Sequence, residues 1–180
     1  MIRPGILVPI LILTTLFAGA VSAQKRTTKR KIPPKTTIKN TSTLPPLEVR
    51  AARVKVYNQA SNVGQFIKIM GPVAQSIEAL DNEARTRKLA KSSIDTNESN
   101  KQKLMTAIKN MRAGIDALET EFETKPALKI YLLKIRGISE LAAQSETLAF
   151  SGKYVSSRDP WRTVLQKLND TLAAMPTAEL

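Results

Sequence analysis

The residues in this chain that could do chemistry begin with Glu119, Glu121 and Glu123, its densest acidic group. Paired carboxylates can divide general-acid and general-base work between them. On a helix, residues two apart point to different faces, while Glu119 and Glu123 share one, and that face reads as exposed and solvated rather than as a catalytic pair. A second candidate is Asp95, Asn97 and Ser99, which alternate as the first ligands of a calcium-binding EF-hand loop do. Such a loop needs glycine at its sixth position and a bidentate acid at its twelfth. Asn100 and Thr106 stand there, so no calcium site is expected.

The chain has no cysteine and no histidine. That removes thiolate nucleophiles, disulfides, imidazole bases, histidine-assisted triads and the usual zinc, haem or copper ligands. The sequence therefore predicts no catalytic residue, no metal site and no cofactor. An enzyme built from carboxylates, lysine, serine or tyrosine alone would need a pocket in which polar groups converge and titrate abnormally.

What remains is electrostatic. The net charge of +13 divides unevenly: Lys25, Arg26, Lys29, Arg30, Lys31, Lys35 and Lys39 supply seven cations with no acid among them, and Arg3 precedes them. From Leu47 onward there are 20 basic against 15 acidic residues, a net +5 that is unexceptional for a folded domain. Residues 24–46, QKRTTKRKIPPKTTIKNTSTLPP, hold four prolines, many threonines and almost no large apolar side chains. Such a composition cannot bury enough surface to fold, so the stretch reads as a disordered basic tether. It serves either as a solvated spacer or as a clamp for a polyanion such as nucleic acid, anionic lipid or an acidic envelope polymer. No aromatic residue is interleaved with its cations, so base stacking has no platform and specific nucleic-acid recognition is not expected. The expected partners are an unknown protein or an anionic envelope component.

Residues 1–23 carry Arg3, an apolar run from Ile6 to Phe17, and small residues ending Val21-Ser22-Ala23. This is the pattern of a secretory signal peptide cleaved before Gln24, which predicts an exported chain, periplasmic or secreted, with no span left after cleavage. The alternative is an uncleaved membrane anchor, because roughly 18 apolar residues nearly reach bilayer length. Its consequence is contrary, since seven cations just after the segment would hold that side in the cytoplasm.

The rest of the chain supplies the elements. Leu104, Ile108, Met111, Ile115, Leu118 and Phe122 recur at alternating spacings of four and three, a helical seam around which the other segments are organised. Before it, Val49, Ala52, Val56, Val63, Phe66 and Met70 form one stripe, interrupted at Gln59 unless Ala60 takes its place. Gly71-Pro72 ends or kinks this helix. A second stripe follows through Val73, Ile77, Leu80 and Ala84, with Arg85, Arg87 and Lys88 complementing the helix dipole at its end. Asp95 to Glu98 and Ser99 to Gln102 are spaced as capping boxes at the start of the organising helix.

After Thr124-Lys125-Pro126 a fourth helix carries two stripes, Leu128, Tyr131, Ile135, Ile138 and Ala142, and Ile130, Leu133, Leu141 and Leu148. It is expected to be the most buried. Gly152 closes it, and Asp159-Pro160 opens a fifth helix as cap and first position, with Trp161, Leu165, Leu168, Leu172 and Met175 on its seam. The fold expected for residues 47–176 is all-α, an antiparallel up-and-down bundle of four to five helices with coiled-coil-like packing. If Gly71-Pro72 only kinks, four remain.

Gly64, Gly114 and Gly137 fall inside predicted helices, each at a cost of about 1 kcal/mol relative to alanine. Close helix approach would account for them, and so would a waist that leaves room for an apolar ligand. Asn40, Asn97 and Asn169 begin glycosylation-type triplets. Helical surface, a charged tether and no reactive constellation together predict a non-enzymatic interaction or scaffold protein. A carrier of a small apolar ligand within the bundle is the alternative.

Overall fold

The computed structural model describes residues 44–177. The expected signal peptide, its cleavage site, the seven tether cations and Asn40 lie outside the described residues. All those described fall in one unit, Thr41–Leu180. They are all-helical, with no strand among them.

Helix α1 runs from Leu47 to Thr86, straight through the Gly71-Pro72 pair, so the first two expected helices are one. Pro72 sits on the exposed side of the helix, as does Lys68, whose carbonyl has no N–H to accept from at Pro72. Gly71 is buried, and its missing side chain serves packing rather than a turn. A Cβ there would come within 2.5 Å of the Arg158 guanidinium. The stripe Val49, Ala52, Val56, Val63 and Met70 is buried, and Ala60 rather than Gln59 completes it. Arg85 lies in the last turn and Arg87 pairs with Glu83 just past it, as the helix dipole favours.

Helix α2, Lys91–Thr124, buries the predicted seam at Leu104, Ile108, Ile115, Leu118 and Phe122, with Met111 packed partly buried against it. It begins at Lys91, several residues before either predicted capping box; Asp95 and Ser99 lie within it, and no side chain caps it. Propagation from a nucleus set by the buried seam outweighs these local signals.

The fourth expected helix is broken. A 3₁₀ turn over Pro126–Tyr131 leads into the single-turn α3, Leu132–Ile135, and α4 starts afresh at Ile138–Phe150. Gly137, expected inside a helix, takes φ +87°, a left-handed conformation that only glycine adopts freely. The stripe Leu128, Ile135, Ile138 and Ala142 is buried, with Tyr131 packed against it. The second stripe splits: Leu141 packs against the core and Leu148 is half-buried, but Ile130 and Leu133 are exposed. A 3₁₀ turn advances about 120° per residue instead of 100°, so a register assigned on one continuous α-helix drifts across this segment. Far from being the most buried, the region carries some of the most exposed apolar residues described.

Gly152, also left-handed at φ +79°, closes α4 as expected. A 3₁₀ turn, Ser156–Arg158, leads into α5, Asp159–Ala174. Pro160 stands in the first turn, but Asp159 does not cap it: its carboxylate pairs with Arg162 at 2.9 Å.

The packing closes a ring: α1 lies against α2 and α5, and α4 against α2 and α5. Contacts between α1 and α2 run in opposite order along the two helices, from Lys55 with Glu121 to Asp81 with Lys101. Trp161, Phe122, Met70, Ile77 and Ile108 fill the interior, fully buried. Trp161 stands edge-on to Phe66, ring centroids 5.4 Å apart at 82°. No helix among the described residues is long and apolar enough to cross a membrane.

Candidate functional site

The three clustered glutamates, Glu119, Glu121 and Glu123, do three different things. Glu119 is not on a solvated face; it is 6% exposed. Its carboxylate accepts the backbone N–H of Gly137 through one oxygen and that of Ser139, at 2.8 Å, through the other. The reason lies in the break at Gly137. A helix that restarts there exposes N–H groups without intrahelical acceptors, and a carboxylate at that end satisfies them while meeting the positive pole of the dipole.

Glu121 bridges Lys55 at 2.7 Å and Lys125 at 2.6 Å. Burial pushes its carboxyl up, but the hydrogen bonds from Lys125 and Lys55 outweigh that and hold it below its ordinary value. Glu123 is exposed. Glu119 and Glu123 both border a cleft of about 550 Å³ between α2 and the start of α4, together with Arg112, Asp116, Arg136, Ser139 and Glu140. Arg112 reaches out of that row to Glu146 at 2.7 Å, a hydrogen bond that raises the guanidinium's pKa above its ordinary value. The cleft thus gathers both signs of charge, but its most buried carboxylate already holds two backbone donors and cannot also serve as a free base without uncapping α4.

Other polar side chains are spent in the same way. Asn97, the middle residue of the EF-hand-like pattern, is buried and donates to Asp81 at 2.8 Å. The same burial places its amide out of reach of a glycan, whereas Asn169 is exposed. Lys101 joins Asp81 and Glu98, each at 2.7 Å. Burial lowers its pKa, and the bonds to Asp81 and Glu98 raise it further than burial lowers it. Among the described residues no group of three or more acidic residues is placed to hold a metal.

The glycines answer the question of a waist. A Cβ at Gly114 would come within 2.7 Å of Gln59 Nε2, so the Gln59 side chain lies across it and reaches Met111 Sδ at 3.9 Å. Gly64 faces Leu165 at ordinary contact distance, and Gly137 forms the left-handed break. The space that glycine opens in α1 and α2 is filled by neighbours.

Apolar grooves lie instead at the surface. One of about 330 Å³ runs between α1 and α2, lined by Phe66, Ile69, Met70, Val73, Leu104 and Ala107, with Asn100 and Lys103 at its edge. Another, of about 340 Å³, lies where α1 begins and α5 ends, lined by Arg50, Arg53, Val54, Tyr57, Leu172 and Thr177. Arg53 is fixed there by a 2.8 Å hydrogen bond to the Met175 carbonyl.

Sequence reasoning missed the role of Glu119, although a signal existed. Glu119 follows Ile115 by four and precedes Phe122 by three, the same spacings as the seam, so its side chain belongs beside the buried stripe. No protein-family model, no curated protein and no solved structure matches this chain.

Proposed function

We propose that this chain is an exported, non-enzymatic interaction or scaffold protein. Residues 47–176 act as an antiparallel up-and-down helical bundle that presents surface to a protein partner. Residues 24–46 are its basic tether, with Lys25, Arg26, Lys29, Arg30, Lys31, Lys35 and Lys39 contacting an anionic envelope polymer or lipid. The observation that carries this reading is how the buried polar side chains are used. Glu119, Asn97, Ser145, Ser157 and Thr171 each bond to backbone or to a neighbouring side chain of the fold, and of their polar atoms only Asn97 Oδ1 is buried without a partner. Export follows from the leader, and a mature protein recovered outside the cytoplasm should begin at Gln24 by intact mass.

The groove between α1 and α2 favours a second reading, a carrier of a small apolar ligand, held at the surface rather than within a waist. A carrier should copurify with a small molecule and gain thermal stability when it is returned.

Salt dependence tests the tether. Engagement of all seven cations with duplex DNA as a probe polyanion gives a log-log slope of roughly −6, from about −0.9 per neutralised phosphate. Replacing Lys25, Arg26, Lys29, Arg30 and Lys31 with glutamine should abolish that binding and leave the helical spectrum unchanged. If the glutamine variant binds as tightly as the natural chain at low salt, the tether is only a spacer.

A further inference from the structure

The segment Lys125–Arg136, KPALKIYLLKIR, contains four cations and no acid. Its apolar residues divide between two faces. Leu128 and Ile135 are buried in the core, and Tyr131 and Leu132 pack against it. Ile130 and Leu133 point the other way, 76% and 83% exposed. Tyr131 and Leu132 both have right-handed helical backbone, so the 3₁₀ turn runs into α3 without a break. Residues three apart on such a run stand side by side, which joins Ile130 and Leu133 into one apolar knob on a segment anchored from behind.

Cations frame the knob. Lys134 lies one helical turn after Ile130, and Lys129 one turn before Leu133. Lys125 is occupied by Glu121, and Arg136 borders the cleft that holds Glu119, Glu123 and Glu140. Lys129 and Lys134, by contrast, pair with no carboxylate among the described residues.

We propose that this knob is a lipid-docking site: Ile130 and Leu133 insert shallowly into an anionic bilayer surface while Lys129 and Lys134 take the headgroup phosphates. The size and charge of the patch choose this occupant. A stable protein interface needs roughly 800 Å² from each partner, far more than two side chains supply. A bilayer interface accepts a few inserted apolar side chains, and lysines at their margin extend their charge to the headgroups. This site belongs to the bundle and stands whether or not the tether binds anything.

The chain has no cysteine, so Leu133→Cys creates a unique labelling position in the full-length protein. An environment-sensitive fluorophore there is titrated with vesicles of mixed phosphatidylglycerol and phosphatidylcholine, in a chain whose tether cations are replaced by glutamine. The expected result is a blue shift and quenching by brominated acyl chains, absent with pure phosphatidylcholine and absent for a label at Lys109→Cys on the exposed side of α2. Adding Lys129→Glu and Lys134→Glu should raise the lipid needed for half-maximal shift by roughly tenfold or more, with an unchanged helical melt showing that the fold is intact. Vesicle binding with the label at 133 still in water overturns the proposal, because the chain is then held by another segment. A label already shielded before lipid is added also overturns it: concentration-dependent shielding assigns the knob to a second copy, and concentration-independent shielding to another part of the same chain.

Discussion

Replacing Glu119 with alanine separates a capping carboxylate from a solvated one, because Glu123, four residues on, provides the matched control on the same helix. In the natural chain the Glu119 carboxylate accepts the Gly137 and Ser139 N–H groups. Hydrogen bonds to a charged acceptor contribute about 1.5–3 kcal/mol each, and a donor left unpaired adds its desolvation cost. The cleft beside Glu119 is open, so water partly replaces the lost acceptor, which favours the low end of that range. Two such bonds then come to about 3 kcal/mol, or a fall in melting temperature of about 10 °C for a domain of this size. Glu123→Ala, at an exposed position, should stay within about 0.5 kcal/mol of the natural protein. Urea denaturation followed by circular dichroism reads the difference as a shift in midpoint at constant slope. Amide exchange reads it locally, as faster exchange at Gly137 and Ser139 in the Glu119 variant alone. Equal stabilities for the two alanine variants would refute the reasoning and return Glu119 to the solvated surface.

Four other outcomes follow from the structure. Gly137→Ala should cost about 1–2 kcal/mol by thermal melt, since a Cβ there meets no neighbour and the whole penalty is the left-handed backbone; an unchanged melting temperature would mean the break can relax. Gly114→Ala displaces Gln59, so the substitution should become stabilising by up to about 1 kcal/mol only in a Gln59→Ala background. Trp161, fully buried against Phe66, should emit in the blue when folded and shift red on unfolding, and water-like native emission would show α5 to be loose. Acid should weaken the fold through Glu121, whose folded pKa lies below its ordinary value. Its contribution is complete above the ordinary carboxylate pKa of about 4.3 and is lost as pH falls through the lowered folded value. Glu121→Gln should flatten that limb of a plot of melting temperature against pH.

The sequence by itself determined the helical class, the seam of α2, the buried stripe of α1, the Gly152 closure and the burial of Trp161. Each depends on spacing within one helix, a local property that the chain carries without reference to its neighbours. It also bounded the chemistry, because the absence of cysteine and histidine is a fact of composition. Only tertiary structure decided what Gly71-Pro72 and Gly137 do. Gly71-Pro72 looks like a stop, yet α1 continues through it, and Arg158, distant in sequence, occupies the space that glycine leaves. Gly137 looks like a tolerated helix interior, yet it breaks the chain where Glu119 can cap the restart. The same break, with the 3₁₀ turn before it, swings Ile130 and Leu133 from an expected core stripe to the surface. Periodicity assumes a constant rotation per residue, and once packing changes that rotation, the face each later residue presents is set by the neighbours that reward it.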